Sequence, residues 1–528
     1  MHRRTRLALA AIVALAAATR FWGLRFGLPY TNARPDETII IDVALAFVQG
    51  HLTPHFYDYP WLFMWALAGF YLLYYTAGRA VGAFHSIADF MVSWKYHWEP
   101  FFLIPRTMSA IAGTLTVIVV FRLARRAWGD LTALVASLFM ALAFLHARDS
   151  HFATTDVTMT LLLTWSVSWL IDAHRSRRAR DWVIGGVIGG LAAAVKYNAV
   201  LLIIPLVGTY LLNIYETPQG RRREAVRDPR LFLYGLPFLA AFAIGAPFLL
   251  FDLPNFISEM KLLRESMEIG SRGLVLSVGW LHHLQFSLRY GLGLPLLVAG
   301  LAGMAAMFWF ETPLAILLLS FPIGYFIIAG SVRNLFFRYA IPVVPFLCLA
   351  AARLITRFVK KTELVAVAAC LVVLPSALNI FQFDRIIRRT DNRVLVARWF
   401  DDHVPAGTSV LLSGTSYGYV QFARDKYKAW VWDRRRQLFI VDLEKRVATG
   451  RPELILVQDS PLPSETQPEV AEFLQSGYEV LQTFPAFSRA DDLIYDQQDM
   501  FYAPFSGFSH VTRTGPNFTL YKRIAGAP

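Results

Sequence analysis

Cysteine is scarce in this sequence, which has two in 528 residues. Both of them, Cys348 and Cys370, lie inside apolar runs. We therefore interpret them as small, buried core hydrophobic residues and not as a disulfide or a metal pair. The sequence also lacks a glycine-rich phosphate loop, a nucleophile elbow and a metalloprotease helix motif. None of the enzyme classes that carry these motifs is therefore indicated.

Charged residues are also few, at 17%, whereas hydrophobic residues make up 55% and aromatic residues 14%. A soluble globular chain is about 45–50% apolar. The excess is concentrated in long apolar runs, which are typical of membrane proteins. The formal net charge of +13 does not indicate nucleic-acid binding, because the basic residues form short clusters between apolar runs, as topology signals do.

The N-terminus has the basic start and the apolar run, Leu7 to Ala18, of a secretory signal. Cleavage at the alanines that end this run is one possibility. The apolar stretch continues through Phe21, Trp22 and Leu24, so we favour an uncleaved signal-anchor helix.

Membrane-spanning helices need about 17–25 mostly apolar residues. The candidate spans are 7–27, 61–79, 102–121, 131–147, 156–172, 182–195, 197–213, 231–251, 291–310, 313–330, 337–355 and 362–381. Five basic clusters lie between them, and the positive-inside rule assigns all five to the cytoplasm. These clusters are 3–6, 122–126, 175–180, 221–230 and 353–361.

The segment 61–79 decides the topology. If it crossed the bilayer, the Arg122 cluster and every later cluster would lie outside. Its tryptophans and tyrosines are typical of membrane interfaces. We therefore predict about eleven spans, a cytoplasmic N-terminus, an external C-terminus, and a first outer loop at 29–100 that contains interfacial helices. The polar outer segment 252–290 is expected to be a mobile loop over a site.

The residues after about Asp384 have the pattern of a separate soluble domain. Helical periods at 391–403 and 467–476 alternate with short apolar strands. The alternation predicts a small extracytoplasmic α/β domain at 384–528, after a membrane domain at 1–383. The predicted strands include Ser409–Leu412, Leu438–Val441, Leu454–Val457 and Phe518–Tyr521.

The motif Arg34-Pro35-Asp36-Glu37 is the best functional candidate. Pro35 suits the first position of a helix, so Asp36 and Glu37 fall in its first turn. Acidic residues there often only complement the helix dipole. This motif, however, lies at the outer membrane face in a loop too long for a simple connector, where a carboxylate could act as a general base on a hydroxyl.

The same loop contains a second group of candidates, His55, Tyr57, Asp58 and Tyr59. Aromatic faces, a carboxylate and an imidazole together suit a sugar. The alternative for the aromatic residues is an interface belt.

Polar residues at the outer ends of later spans form a third group. Asp156 opens an apolar span, so it is either an N-cap or a functional carboxylate. Lys196 either extends to the surface or points into a cavity to neutralise an anion. Arg338, followed by Tyr339, suits phosphate oxygens. Further candidates are Arg106, Arg148, Asp149 and Arg289, whereas His282 and His283 are interpreted as solvated loop residues, not metal ligands.

An outer pocket with carboxylates and several cations suits the displacement of a lipid-linked phosphate by a hydroxyl. A carboxylate would take the proton, and lysine or arginine would stabilise the departing phosphate. Two neighbouring carboxylates could also hold Mg²⁺ or Mn²⁺, because oxygen ligands alone choose weakly between these ions.

At these residues the chain resembles glycosyltransferase family 39, which includes protein O-mannosyltransferases and, more distantly, lipid A aminoarabinose transferases. The matching stretches, in the expected order, are Arg34–Glu37, Thr53–Pro60, Pro105–Ala110, Gly190–Ala192, Lys196–Asn198 and Arg338–Pro342. The resemblance covers about residues 7–381 and implies the GT-C membrane fold. It is weaker in the tail, which is similar to bacterial members and implies a prokaryotic plasma membrane.

The resemblance implies transfer of a hexose or pentose from a polyprenyl-phosphate carrier to an acceptor hydroxyl on the outer face, usually with inversion. Asp36 would be the general base and Glu37 its partner. Asp156 would lie near the sugar or acceptor, and Lys196 and Arg338 near the phosphate. The chain departs from many members at Tyr59-Pro60-Trp61, where they have a basic residue before two prolines.

Two other classes compete with this interpretation. A transporter or flippase for lipid-linked saccharides would usually have inverted repeats and charges at the middle of its spans. Here the ionisable residues lie at the outer ends of spans, which favours an enzyme. A structural or sensory membrane protein would leave the acidic and aromatic first loop unexplained.

Overall fold

A computed structural model describes residues 2–269, 276–423, 425–433, 435–460, 462–463, 467–475, 477–489 and 491–525. The chain packs as two compact units. The first unit comprises Met1–Leu24 and Ile39–Phe381, and the second comprises Arg25–Thr38 and Gln382–Pro528. The predicted domain boundary after residue 383 stays a prediction. The segment Arg25–Thr38, which we expected in the membrane domain, packs with the C-terminal residues.

Helices make up the first unit and its connections to the second. They are α1 (Arg3–Phe21), α2 (Pro35–Val48), α3 (Leu62–Ala80), α4 (Ile87–Tyr96), α5 (Glu99–Trp128), α6 (Asp130–Ala141), α7 (Phe144–Asp149), α8 (Asp156–Ser176), α9 (Ala179–Val195), α10 (Ile203–Glu216), α11 (Arg222–Val226), α12 (Arg230–Gly245), α13 (Phe248–Phe251), α14 (Leu253–Ile269), α15 (Gly279–His282), α16 (Arg289–Leu292), α17 (Leu294–Phe310), α18 (Thr312–Ala329), α19 (Val344–Phe358) and α20 (Thr362–Ile387). Tighter helical turns at Tyr197–Leu202 and Phe337–Val343 precede α10 and α19.

The described residues contain five helical runs long and apolar enough to cross a membrane, or six if the bent pair Gly279–Leu292 and Leu294–Phe310 is one span. The five are Glu99–Trp128, Tyr197–Glu216, Thr312–Ala329, Phe337–Phe358 and Thr362–His403. The protein is therefore an integral membrane protein. The number of eleven spans and the orientation of the termini stay predictions.

The predicted span 131–147 is broken in two because α6 ends at Ala141 and α7 begins at Phe144. The buried Arg20 side chain donates to the Met140 and Ala141 carbonyls at 3.1 and 2.9 Å. These are carbonyls that a helix end leaves without intrahelical partners. The break is therefore stabilised by a charged donor from α1.

The second unit contains a mixed sheet with helices α21 (Asn392–His403) and α22 (Pro468–Gln475). In the described part of this unit, six strands have the order β3-β2-β1-β4-β6-β5. The central strand β1 is parallel to β2 and β4, and the other pairs are antiparallel. The strands are β1 (Ser409–Leu412), β2 (Lys428–Asp433), β3 (Leu438–Val441), β4 (Leu454–Asp459), β5 (Tyr478–Phe484) and β6 (Asn517–Arg523).

Both faces of this sheet are covered, which explains its short continuous apolar strands. Val410 and Leu412 of β1 pack in one core cluster with Phe400 of α21. Leu411 packs in another cluster with Val470 of α22. The α/β pattern predicted for the tail therefore has its counterpart in the structure, although β2 and β5 were not among the named strands.

Three interpretations of single segments were wrong. His282 and His283 are buried in a helical segment and do not lie in a solvated loop. Cys370 is exposed, whereas Cys348 is buried as expected. Residues 253–269 of the expected mobile loop form helix α14. The next residues of that segment, 270–275, lie outside the described part of the chain.

Candidate functional site

A cavity of about 490 Å³ in the first unit brings together five of the predicted site residues. They come from three separate parts of the chain: the loop between α2 and α3, the break after α9, and the tight turn before α19. These residues are Asp58, Tyr59, Lys196, Arg338 and Tyr339.

Lys196 lies where α9 stops. Its backbone is extended, with φ −153° and ψ 130°, so the helix cannot continue and the side chain turns inward. The side chain is 8% exposed, and its Nζ lies 2.6 Å from Oδ1 of Asp156. Nζ also lies 5.3 Å from the ring centroid of Tyr59 and 5.4 Å from that of Tyr339. Lys196 thus points into the cavity and does not extend to the surface.

Asp156 is the first residue of α8 and is almost fully buried. The N-cap residue of α8 is Thr155, so the N-cap interpretation of Asp156 was wrong. Its carboxylate instead accepts a hydrogen bond from Lys196. Burial of this pair away from water makes the contact strongly directional. The carboxylate therefore fixes where the ammonium group points.

Arg338 supplies a second cation to the cavity. It lies in the tight helical turn Phe337–Val343, and its side chain is buried. The guanidinium carbon is 4.3 Å from the ring centroid of Phe336, which holds the planar group from one side. An arginine in a fixed orientation can offer two parallel donors to an anion.

Part of the cavity wall is apolar, although Arg264 of α14 also lines it. Met260, Leu263 and Met267 of α14 line it together with Leu201 and Ile328. Sequence reasoning missed this wall, since α14 lies in a segment that we expected to be polar loop. The helical spacing of Met260, Leu263 and Met267 is a signal that could have revealed it. The cavity therefore combines buried cations with an apolar surface, which suits an amphiphilic anion.

Asp252 is a further polar residue that sequence reasoning missed. The Tyr57 hydroxyl donates to the Asp252 carboxylate. The Nδ1 atom of the exposed His55 lies 3.4 Å from Oδ2 of the same carboxylate. Burial and the bond to Asp252 raise the pKa of Tyr57, which stays a neutral donor. The Tyr57 carbonyl accepts from the Tyr197 hydroxyl at 2.9 Å. The predicted residues His55 and Tyr57 thus order the loop that carries Asp58 and Tyr59.

The motif Arg34-Pro35-Asp36-Glu37 belongs to the second unit. Helix α2 begins at Pro35, with Asp36 and Glu37 in its first turn, which confirms the predicted helix start. The Arg34 guanidinium donates to the side chain and to the backbone carbonyl of Asp499. Its Nη2 atom also lies 3.9 Å from Oδ2 of Asp36. Glu37 is fully buried.

The weaker candidates have structural contacts. Arg106 donates to the Leu24 carbonyl at 2.6 Å. Arg148 pairs with Asp149 at 3.0 Å. Arg289 lies against the ring of Tyr290. None of them is among the lining residues of the cavity described above.

Within the described residues, no group of three or more histidine, cysteine, aspartate or glutamate side chains is placed to hold a metal ion.

The sequence matches known proteins over part of its length. Residues 104–250 match a family model described as dolichyl-phosphate-mannose-protein mannosyltransferase. An undecaprenyl phosphate-alpha-4-amino-4-deoxy-L-arabinose arabinosyl transferase from Pseudomonas aeruginosa (strain LESB58) is 30% identical over 245 residues. That alignment covers 43% of this chain and 38% of the relative. These matches confirm the resemblance to glycosyltransferase family 39.

Among solved structures, the apo oligosaccharyltransferase of Archaeoglobus fulgidus matches 77% of this chain and 62% of its own, with a TM-score of 0.51 and 12% identity. This likeness shows that the chain shares its fold with that oligosaccharyltransferase over the matched part. ArnT from Cupriavidus metallidurans bound to undecaprenyl phosphate aligns over 98% of both chains, with 13% identity and a TM-score of 0.47.

Proposed function

We propose that the protein is a membrane glycosyltransferase that uses a sugar linked to a polyprenyl phosphate as its donor. The observation that carries the proposal is a single cavity lined by the buried Lys196, which Asp156 orients, by Arg338 and by several apolar side chains. The matching family model and the curated relative are both named for sugar transferases, and both names include a lipid phosphate.

Each part of such a donor has a matching surface in the cavity. The phosphate suits Lys196 and Arg338, since charge-assisted hydrogen bonds are strong in a site that excludes water. The polyprenyl chain suits the side of α14 that carries Met260 and Met267. The sugar suits Asp58 and Tyr59, which offer a carboxylate and an aromatic face.

The Lys196–Asp156 pair is neutral as a whole, so the attraction for a phosphate comes from geometry as well as charge. Asp156 takes one of the three ammonium donors. The ammonium group remains close to Tyr59, at the position where many family members have a basic residue and this chain has Tyr59-Pro60-Trp61. We propose that Lys196 supplies the cation that this departure removes from the first loop.

In the proposed reaction, an acceptor hydroxyl attacks the anomeric carbon of the sugar on the outer face of the membrane. The bond from this carbon to the phosphate oxygen breaks, and the configuration inverts. The hydroxyl proton passes to the carboxylate of Asp36, with Glu37 as its partner. Lys196 and Arg338 stabilise the charge that builds up on the departing polyprenyl phosphate. The acceptor is a hydroxyl group of a protein, lipid or glycan.

The test uses the purified full-length chain in lipid nanodiscs with undecaprenyl-phosphate sugars as donors and a panel of lipid and peptide acceptors. Mass spectrometry measures released undecaprenyl phosphate and glycosylated acceptor. We expect both products in equal amounts. A flippase would instead move the intact donor between the leaflets of a vesicle without breaking the sugar–phosphate bond, and that result would overturn the proposal. Adding EDTA, followed by Mg²⁺ or Mn²⁺, tests the metal requirement.

A further inference from the structure

The segment Arg25–Thr38, called the strap below, is far from the rest of the second unit in sequence but packs within it. The ring of Phe26 lies 5.5 Å from that of Phe501. The Tyr30 hydroxyl donates to the Tyr417 carbonyl at 3.1 Å. The strap ends with the motif that contains Asp36, so its anchorage determines how that motif is held.

The strap contacts the sheet at the carboxyl end of its parallel strands, which is a common ligand-binding position in other proteins. In open α/β sheets, ligands bind outside the carboxyl ends of parallel strands, where neighbouring strands run to either side of a central one. Here β1 lies between the parallel strands β2 and β4. The loop after β1 carries Tyr417 and Gln421, and Gln421 bonds to Thr31 of the strap. The chain's own strap therefore lies against the loop where such a sheet would hold a ligand.

A buried ion pair supports the middle of the strap. Arg393 at the start of α21 donates to both oxygens of Asp391, at 2.8 Å each. Its guanidinium carbon lies 4.0 Å from the ring centroid of Tyr30. Thr514 donates to the same carboxylate at 2.7 Å. The ring of Tyr30 is thus stacked on a cation that is itself fixed.

The end of the strap is held through Arg34, whose side chain is 1% exposed. Arg34 donates twice to Asp499, once to its carboxylate and once to its backbone carbonyl. The other terminal nitrogen of the same guanidinium lies 3.9 Å from the carboxylate of Asp36. A planar guanidinium has a rigid set of donors. If Asp499 fixes one side of the group, it also fixes the side next to Asp36.

We propose that Asp499 is a positioning residue that acts through Arg34 to orient Asp36 for catalysis. All three residues, Asp499, Arg34 and Asp36, belong to the second unit. This inference rests on the proposed function, in which Asp36 accepts the proton. A small displacement of a catalytic group is costly, since about 1 Å lowers a rate by roughly 100-fold.

The test compares the full-length wild type in nanodiscs with Asp499→Asn, which keeps the size and removes the charge, and Asp499→Glu, which restores the charge. Asp401→Asn is the matched control, because Asp401 pairs with Lys426 at 2.6 Å on the exposed surface of the same unit. Steady-state turnover gives kcat and the donor KM. Hydrogen–deuterium exchange of residues 25–38 measures how firmly the strap is held.

For Asp499→Asn we expect kcat to fall about 10- to 100-fold, with the donor KM unchanged, because the donor cavity lies in the first unit. The strap should exchange faster, and Asp499→Glu should recover part of kcat. Asp401→Asn should match the wild type in both measurements. A purely structural role would lower the yield or thermal stability of the folded protein and leave kcat per folded molecule unchanged.

The proposal is overturned if Asp499→Asn matches Asp401→Asn in kcat and in strap exchange. It is also overturned if the donor KM rises while kcat is retained. If the wild type itself transfers no sugar, the proposed function fails separately. The exchange data then still decide whether Asp499 holds the strap.

Discussion

Replacing Lys196 with alanine removes the cation that points into the cavity and leaves Asp156 buried without it. A hydrogen bond to a charged group contributes about 1.5–3 kcal/mol. Loss of this contribution to a bound phosphate corresponds to about 10- to 150-fold weaker binding, since about 1.4 kcal/mol is tenfold. We therefore expect Lys196→Ala to weaken the binding of undecaprenyl phosphate to the full-length protein by this factor.

The same change also destabilises the protein. Removing one partner of a buried ion pair costs about 3–5 kcal/mol, because the other charge stays buried. A loss of affinity in Lys196→Ala could therefore reflect partial unfolding. The double variant Lys196→Met/Asp156→Leu separates the two effects. Replacing both partners by apolar side chains of similar size is often neutral or stabilising.

The assay is tritiated or fluorescent undecaprenyl-phosphate binding to nanodiscs, beside thermal unfolding of each variant. We expect the double variant to recover stability while its affinity stays low. In the double variant, removal of the Asp156 carboxylate by itself favours the binding of an anion. A low affinity of this variant for undecaprenyl phosphate is therefore due to the loss of Lys196. Affinity that returns together with stability in the double variant would refute the phosphate role of Lys196.

Three further predictions concern separate parts of the chain. Asp36→Asn should abolish sugar transfer, because an amide cannot accept the proton; near wild-type turnover in folded, membrane-inserted protein would remove Asp36 as the base. Arg338→Lys should weaken undecaprenyl-phosphate binding less than Arg338→Ala but measurably, because lysine lacks the bidentate fork; equal affinity of wild type and Arg338→Lys would contradict two-donor binding. Reporter fusions at about residue 90 should be external, because we predict that 61–79 does not cross the bilayer; a cytoplasmic signal would overturn the topology.

The parts of the site that sequence could predict are those with a local signal. Lys196 interrupts two apolar segments, Asp156 opens one and Arg338 begins another, so each was recognisable as a polar residue at the end of an apolar segment. Helix α2 was predicted from Pro35 and the acids that follow it, and it begins at Pro35. These features depend on a few neighbouring residues.

The parts that sequence missed depend on contacts between distant residues. Asp252 meets Tyr57, which lies 195 positions earlier, and no local pattern indicates that pairing. Asp499 is 465 positions from Arg34 and lies in an irregular stretch after β5. The Lys196–Asp156 bond likewise joined two residues that we had expected to act separately.

The errors at His282, His283 and β5 also arose because a local pattern does not show which distant residues cover a segment. His282 and His283 were interpreted as solvated because neighbouring side chains point apart on a helix. In the structure both sides of that helix are covered, with Phe337 against His282 and Phe326 against His283. Among the strands, β5 was missed because most of its residues are exposed, which weakens the apolar alternation on which strand prediction depends.

The most direct test of the account is an experimental structure of the full-length protein with bound undecaprenyl phosphate. The account predicts the phosphate in the cavity of the first unit, within about 3 Å of Lys196 Nζ and of the Arg338 guanidinium, with the polyprenyl chain along Met260 and Met267 of α14. A phosphate bound away from both Lys196 and Arg338 would contradict the account.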